Sequence, residues 1–174
     1  MPLPLLKYEF LQDIRLREIP DVVRLAATAR IGALSLDDLA EVNDYPNGAY
    51  VFYERLADDT PFYVGRASSR SFLGRIPSHF EQREDYWMNA LSKGLHKKRK
   101  LSSYSDGVKK ALHCHVAFIG VYLKGSDPLS LERKKMINTL ELVLQEVLKP
   151  ELNSRSGKLQ SDLTLAQAVA QRAA

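Results

Sequence analysis

The side chains in this sequence that could do chemistry begin with two phenols. Tyr50 lies in the run GAYVFY, Gly48–Tyr53, and Tyr63 lies in PFYVG, residues 61–65. Both runs are rich in β-branched and aromatic residues, which fit a pleated, half-buried surface, and the polar segment 54–60 between them reads as a hairpin loop. Side chains alternate across a strand, so Tyr50 faces away from Ala49 and Val51, and Tyr63 away from Phe62 and Val64. A suitable register puts both phenols on one face. Arg75 and His79 follow, four residues apart, the spacing at which two side chains share a helix face. Phenol, guanidinium and imidazole are all groups that can serve a phosphate ester.

One carboxylate is marked by periodicity alone. In residues 130–149, Ile137, Leu140, Leu144, Val147 and Leu148 form a single apolar stripe on a helix that Ser130 can cap and Pro150 ends. Glu141 falls inside that stripe. Desolvating a charge is costly, so an acid on a core-facing stripe implies a partner or a function; the other reading is a rim position that escapes to water. Asn153 follows in a loop, where its amide can donate to phosphate or bond its own backbone.

The order G-A-Y, Y-V-G, R-x-x-x-H-F, then Glu141 and Asn153, resembles the GIY-YIG nuclease family across residues 45–158. The resemblance implies a metal-dependent endonuclease hydrolysing phosphodiester bonds of DNA, double-stranded, of restriction type or a stand-alone bacterial or phage enzyme. The alternative is a catalytically idle nucleic-acid-binding domain with the same fold. By the resemblance, Tyr50 is the general base or positions the water, with His79 relaying its proton, and Tyr63 assists beside the water or phosphate. Arg75 stabilises developing charge, Glu141 holds one Mg²⁺ or Mn²⁺ ion, and Asn153 bonds the phosphate or orients its neighbours. The gap from Gly65 to Arg75 is longer than the family's usual one, which makes Arg70 a rival. A free tyrosine has a pKa near 10, so a basic role needs a positive potential of the kind Arg66, Arg75 and a metal could supply.

The elements that must position these groups define an α/β (α+β) domain with a small, mainly antiparallel three-stranded sheet flanked by helices. Residues 1–44 read as an N-terminal helical extension, with one helix opened by Pro20 and running to Arg30, and a second over 36–42 capped by Ser35 and Asp38. The dense turn chemistry of 43–48 leads into the first strand. Small side chains over 65–69 let a phosphate approach the backbone. Because Pro77 fits only the first turn of a helix, the helix carrying Arg75 and His79 is expected to start near Leu73 or Gly74, with Arg75 at its anion-friendly N-terminal end. A further helix is expected over 81–95, with Tyr86, Trp87, Met88 and Leu91 as buried bulk, then a loop to Gly107 and a third strand over 111–123. His113, Cys114 and His115 invite a zinc reading, but alternation on a strand puts Cys114 opposite the two histidines. Residues 159–174 read as a helical tail that docks on the domain or on a second copy, as in a homodimer.

Composition sets the outer limits. The chain of 174 residues is 45% hydrophobic and 26% charged, ordinary for a folded domain with one core. Its formal charge of +4 favours a polyanionic partner. The most basic stretch is Lys97, Lys98, Arg99 and Lys100; with Arg66 these are the candidate nucleic-acid contacts, and a solvated loop is the other reading. A single cysteine precludes an internal disulfide framework and suits a reducing, cytoplasmic setting. No apolar run approaches the roughly 20 residues of a membrane span, and no secretory leader is recognised.

Overall fold

The computed structural model describes residues 4–40, 45–122, 130–157 and 159–173. In chain order these form β1 (Leu5–Lys7), α1 (Tyr8–Leu11), α2 (Ile19–Ala26), β2 (Ala29–Arg30), α3 (Leu36–Ala40), β3 (Gly48–Tyr53), β4 (Tyr63–Ala67), α4 (Phe72–Arg75), α5 (Ala90–Lys98), α6 (Tyr104–Leu112), β5 (His115–Gly120), α7 (Leu131–Leu148) and α8 (Leu165–Ala173), with short 3₁₀ turns between some of them. The end of the expected second helix, the first residues of the turn after it, Leu123, Lys158 and Ala174 lie outside the described residues.

The sheet is mixed and five-stranded rather than antiparallel and three-stranded. Its order is β1-β5-β3-β4, with β2 also pairing β5. Of the expected strands, β3 lies between β4 and β5 and is antiparallel to both, and β1 adds a parallel partner to β5. Both extra strands come from the stretch read as a helical extension. They were missed because two- and three-residue strands carry no alternation to read. The helix opened by Pro20 stops at Ala26, short of Arg30, which belongs to β2. Ser35 and Asp38 cap α3 reciprocally, as expected.

The core lies on both faces of the sheet. On one face Val51, Val64 and Ile119 pack against α2, α7 and α8; on the other Tyr50, Phe52 and Phe118 pack against the residues of α4 to α6. Strands covered on both sides lose the polar alternation of a one-sided sheet, and β3 is buried at every position.

The second half of the chain departs further from expectation. Pro77 cannot donate to the carbonyl four residues back, so α4 ends at Arg75 and a 3₁₀ turn, Pro77–Phe80, carries His79. Arg75 is therefore the last residue of a one-turn helix, not the first of a longer one. Residues 81–89 form turns rather than helix. The expected loop over 96–107 is helical at both ends, in α5 as far as Lys98 and in α6 from Tyr104, whose N-cap Ser103 accepts from the Asp106 amide at 3.2 Å. His113 closes α6, Cys114 is buried, and only then does β5 begin, so these three residues are not on a regular strand. Burial pushes the Cys114 thiol up to about 12, and among the described residues no cluster of three His, Cys, Asp or Glu could hold a metal ion. No described helix is long and apolar enough to cross a membrane.

The hairpin register explains one glycine. Tyr50 pairs with Gly65 and Phe52 with Tyr63, so both phenols share a face, their rings 6.3 Å apart. A Cβ on Gly65 would come within 2.6 Å of the Tyr50 ring. Gly65→Ala should therefore destabilise by about 1–3 kcal/mol, the usual scale for forcing a packed ring to move. Gly74→Ala, on α4, meets nothing nearer than 3.6 Å and should be neutral or stabilising. Urea midpoints of the two variants check this; equal midpoints would show that the ring over Gly65 is not a constraint.

Candidate functional site

A cleft of about 760 Å³ opens at the free edge of β4. Because alternate residues of an edge strand point to opposite faces, the cleft reaches round that edge: Tyr63 lines it from the α4–α6 side and Arg66 from the α7 side. The edge itself is covered. The Glu151 and Leu152 amides donate to the Pro61 and Phe62 carbonyls, each at 2.9 Å. Asn153 continues the line with its side chain: Nδ2 donates to Val64 O at 2.6 Å and Oδ1 accepts from Val64 N at 3.1 Å. Both ends of the amide are thereby engaged. Asn153 fixes the loop that brings Ser154 and Arg155 into the cleft and has little left to offer a phosphate directly.

Among the described residues, the cleft is lined by four guanidinium groups, those of Arg66, Arg70, Arg75 and Arg155, and by a single carboxylate, Glu141. Glu141 is 8% exposed, and among the described residues the only hydrogen bond to it comes from Arg66, which donates to Oε2 in a short ion pair. Its charge therefore has a partner, as an acid on a core-facing stripe requires. Burial still outweighs the favourable charges of Arg66, Arg155 and Arg75, so its pKa is raised. Gln145, one turn further along α7, accepts from Arg155 Nε at 2.9 Å and steadies that side chain. Arg75 donates to Met88 O at 3.0 Å and to Ser78 Oγ at 2.5 Å. On the opposite wall, Asn47 donates to the carbonyls of Ala67 and Arg70, at 3.2 and 2.7 Å, and holds the small-residue turn 67–70 in place.

Beneath the cleft lies a buried polar chain. His79 and Tyr50 are both fully buried, with Tyr50 Oη and His79 Nε2 2.8 Å apart. The Leu91 amide, one of the free N–H groups in the first turn of α5, donates to His79 Nδ1 at 3.4 Å. With Nδ1 an acceptor, a neutral imidazole carries its proton on Nε2 and donates it to Tyr50. Burial first, and the charge of Arg75 second, hold His79 well below its usual range, so it is neutral. Burial raises both phenols. The charge of Arg75 offsets part of each rise, and that of Glu141 adds to it. The donors thus run from the α5 amide through His79 to Tyr50, whose ring lies 6.3 Å from that of Tyr63, the phenol on the cleft wall. Tyr50 does not reach it. An imidazole already donating to Tyr50 is not placed to take that phenol's proton, so the expected Tyr50-to-His79 relay runs against the bonding.

The basic run is elsewhere. Arg99 makes paired bonds to Glu151 at 2.7 and 2.5 Å and a third to Glu54 at 2.8 Å, and Lys98 donates to Glu151 O at 2.8 Å. Lys97 and Lys100 are exposed, and none of the four lines the cleft. Arg66, grouped with them from sequence, faces Glu141. What sequence reasoning missed is Arg155, Gln145 and Asn47. Gln145 was legible, since it stands four residues from Glu141 on the same helix face; Arg155 and Asn47 carried no signal beyond turn composition.

Compared with family models, with curated proteins and with solved structures, the chain has no match.

The neutral buried imidazole has a pH signature. Free histidine titrates near 6.5, so below that pH the unfolded chain binds a proton that native His79 refuses, and stability falls as pH drops from about 7 toward about 5. In His79→Gln this component is gone. The melting temperature of the variant should change less across that window than that of the wild type, whatever its absolute value. Equal slopes in the two proteins would place the charged imidazole in the native state.

Proposed function

We propose that this chain is a metal-dependent endonuclease of the GIY-YIG kind, hydrolysing phosphodiester bonds of DNA. The observation that carries the reading is the convergence on a single cleft of four guanidinium groups, one buried carboxylate and the Tyr63 phenol, packed against the hydrogen-bonded Tyr50–His79 pair. A cleft so cationic suits a phosphodiester, whose charge grows on the way to the transition state. Arg75 is anchored by Met88 O and Ser78, so its guanidinium is held in place before any substrate arrives.

Tyr63 orients the attacking water. Burial raises its pKa, so it acts as a neutral phenol. Tyr50 and His79 are positioning residues behind it. Arg70 and Arg155 hold the strand on either side of the reacting phosphate, and Arg66 balances Glu141 until the substrate binds.

Glu141 suits a divalent ion: it is a buried carboxylate with a raised pKa, so a nearby cation stabilises its charged form. Mg²⁺ tolerates a single carboxylate when water and substrate phosphate complete its shell. When bound there, such an ion supplies Lewis-acid neutralisation of the phosphate.

The second reading, an idle DNA-binding domain, is favoured by the Arg66–Glu141 ion pair, which satisfies the carboxylate without a metal. Nicking of supercoiled plasmid separates the two. Under the nuclease reading Glu141→Gln abolishes cutting, while its melting temperature without metal stays level or rises, because the neutral isostere avoids the cost of burying charge. Mn²⁺ should raise the melting temperature of the wild type much more than that of the variant. A variant that still cuts ends the metal-ligand assignment, and a wild type that binds but never cuts leaves the idle domain.

Arg75→Ala should lower cleavage by a factor on the order of 10² to 10³, the usual scale for one transition-state stabiliser. Arg70→Ala, at an exposed position without that anchoring, should cost much less. Single-turnover rates decide between them, and a reversed order would make Arg70 the stabilising arginine.

A further inference from the structure

Trp87 is the only tryptophan in the chain. It is 77% exposed and lines the cleft beside Arg75. Large aromatic side chains bury much area in cores, and this one lies in a turn whose neighbour Met88 is buried. Its exposure is not the looseness of a free loop. Lys93 Nζ donates to Tyr86 O at 3.1 Å and Arg75 donates to Met88 O at 3.0 Å, so the carbonyls on both sides of Trp87 are held by cations. Asn89 Nδ2 reaches back to Arg83 O at 2.9 Å and Tyr104 Oη donates to Glu81 O at 2.7 Å, which pins the rest of the turn. The backbone is fixed and the indole stands out from it into the mouth of a cationic cleft.

We infer that Trp87 is a stacking platform for an unpaired base, next to the phosphate held by Arg75. The inference rests on the phosphodiester reading above and narrows it: the substrate is a strand with at least one unstacked nucleotide, as in a single strand, a flap or a locally opened duplex. The occupant follows from the neighbours. Guanidinium groups line the cleft beside the indole, so a ligand covering both needs an anionic part and a flat apolar part a short distance apart. A nucleotide has both. Base–aromatic stacking tolerates any base, because each has a π face, and a platform fixed in advance loses little freedom when a base settles on it. The same arginine bonds the turn and lines the cleft, so the base site and the phosphate site are set by one side chain.

The lone indole makes the test direct, since its emission reports Trp87 and no other residue. The full chain, in EDTA to prevent cutting, is titrated with three probes of equal length: an oligothymidylate single strand, a fully paired duplex, and a strand of abasic residues carrying the phosphates alone. Anisotropy of a label on each probe measures binding independently of the indole. The single strand should bind and change the emission, and the abasic strand should bind without changing it. Trp87→Ala should weaken the single strand roughly 5- to 100-fold, the stacking scale for one base, and leave the abasic strand unchanged. Trp87→Phe keeps a π face and should recover most of the loss. Binding of all three probes with silent emission, or equal losses for single and abasic strands in Trp87→Ala, overturns the platform and leaves the phosphodiester reading standing. Failure of every probe to bind at low salt overturns both. Emission that changes with protein concentration alone, without any probe, makes the indole a contact between two copies and overturns the platform.

Discussion

The free edge of β4 is the constraint on which the rest of the structure depends. A strand at the end of a sheet leaves a row of N–H and C=O groups unpaired, and these must be covered, blunted or left to water. Here residues 151–153 cover the start of that row, from Pro61 to Val64, two with backbone amides and Asn153 with a side chain that copies a strand's donor and acceptor. Covering the edge in this way brings the end of α7 alongside the hairpin. Glu141, Gln145 and Arg155 arrive opposite Tyr63 and Arg66 for that reason. The cleft is what remains between an edge that had to be covered and the turn 67–70 that leaves it.

Two buried acids on α7 show how little burial alone distinguishes a site from a joint. Glu146 is as buried as Glu141, at 5% against 8%. It accepts from the Leu159 amide at 2.9 Å and pairs with Arg172 of α8, so it fastens the tail to the domain. Glu141 pairs with an arginine whose side chain is nearly half exposed and which shares its cleft with three more. Both carboxylates border open space, Glu146 on a cavity of about 240 Å³ and Glu141 on the cleft of about 760 Å³, but the arginines are gathered around the second. The difference lies in what surrounds the pair, not in the depth of either acid.

Much of this was legible in the sequence where local chemistry decides conformation. β3 and α7 have the bounds that β-branched and aromatic enrichment and a single apolar stripe dictate, Ser130 and Ser35 cap as their spacing requires, and the two phenols share a face, which strand alternation allows once the register is set. What failed did so where tertiary partners override local preference. The basic run at 97–100 has the composition of a polyanion-binding loop, yet Arg99 is claimed by Glu54 and Glu151, which are remote in sequence. Residues 81–89 have bulk enough for a helix, but their backbone groups are taken by Asn89, Lys93 and Tyr104 in turns. The direction of donation through His79 depends on the amide of Leu91, and no pattern of residue types records the placement of one N–H.

The parallel pairing of β1 with β5 has a consequence for the order in which the molecule can assemble. Leu5 lies opposite Phe118, so β1 is made long before β5, the strand it pairs with. Closing so long a loop is slow compared with forming the β3–β4 hairpin, whose strands are neighbours in the chain. On a ribosome, which releases segments over seconds, the hairpin and its two phenols emerge and pair while β1 still stands unpaired. Lys7, a charged residue on that waiting strand, keeps it from acting as a bare template for other chains. The hairpin that carries the cleft is thus the early part of this fold, and the strand nearest the chain's first described residue is its final seam.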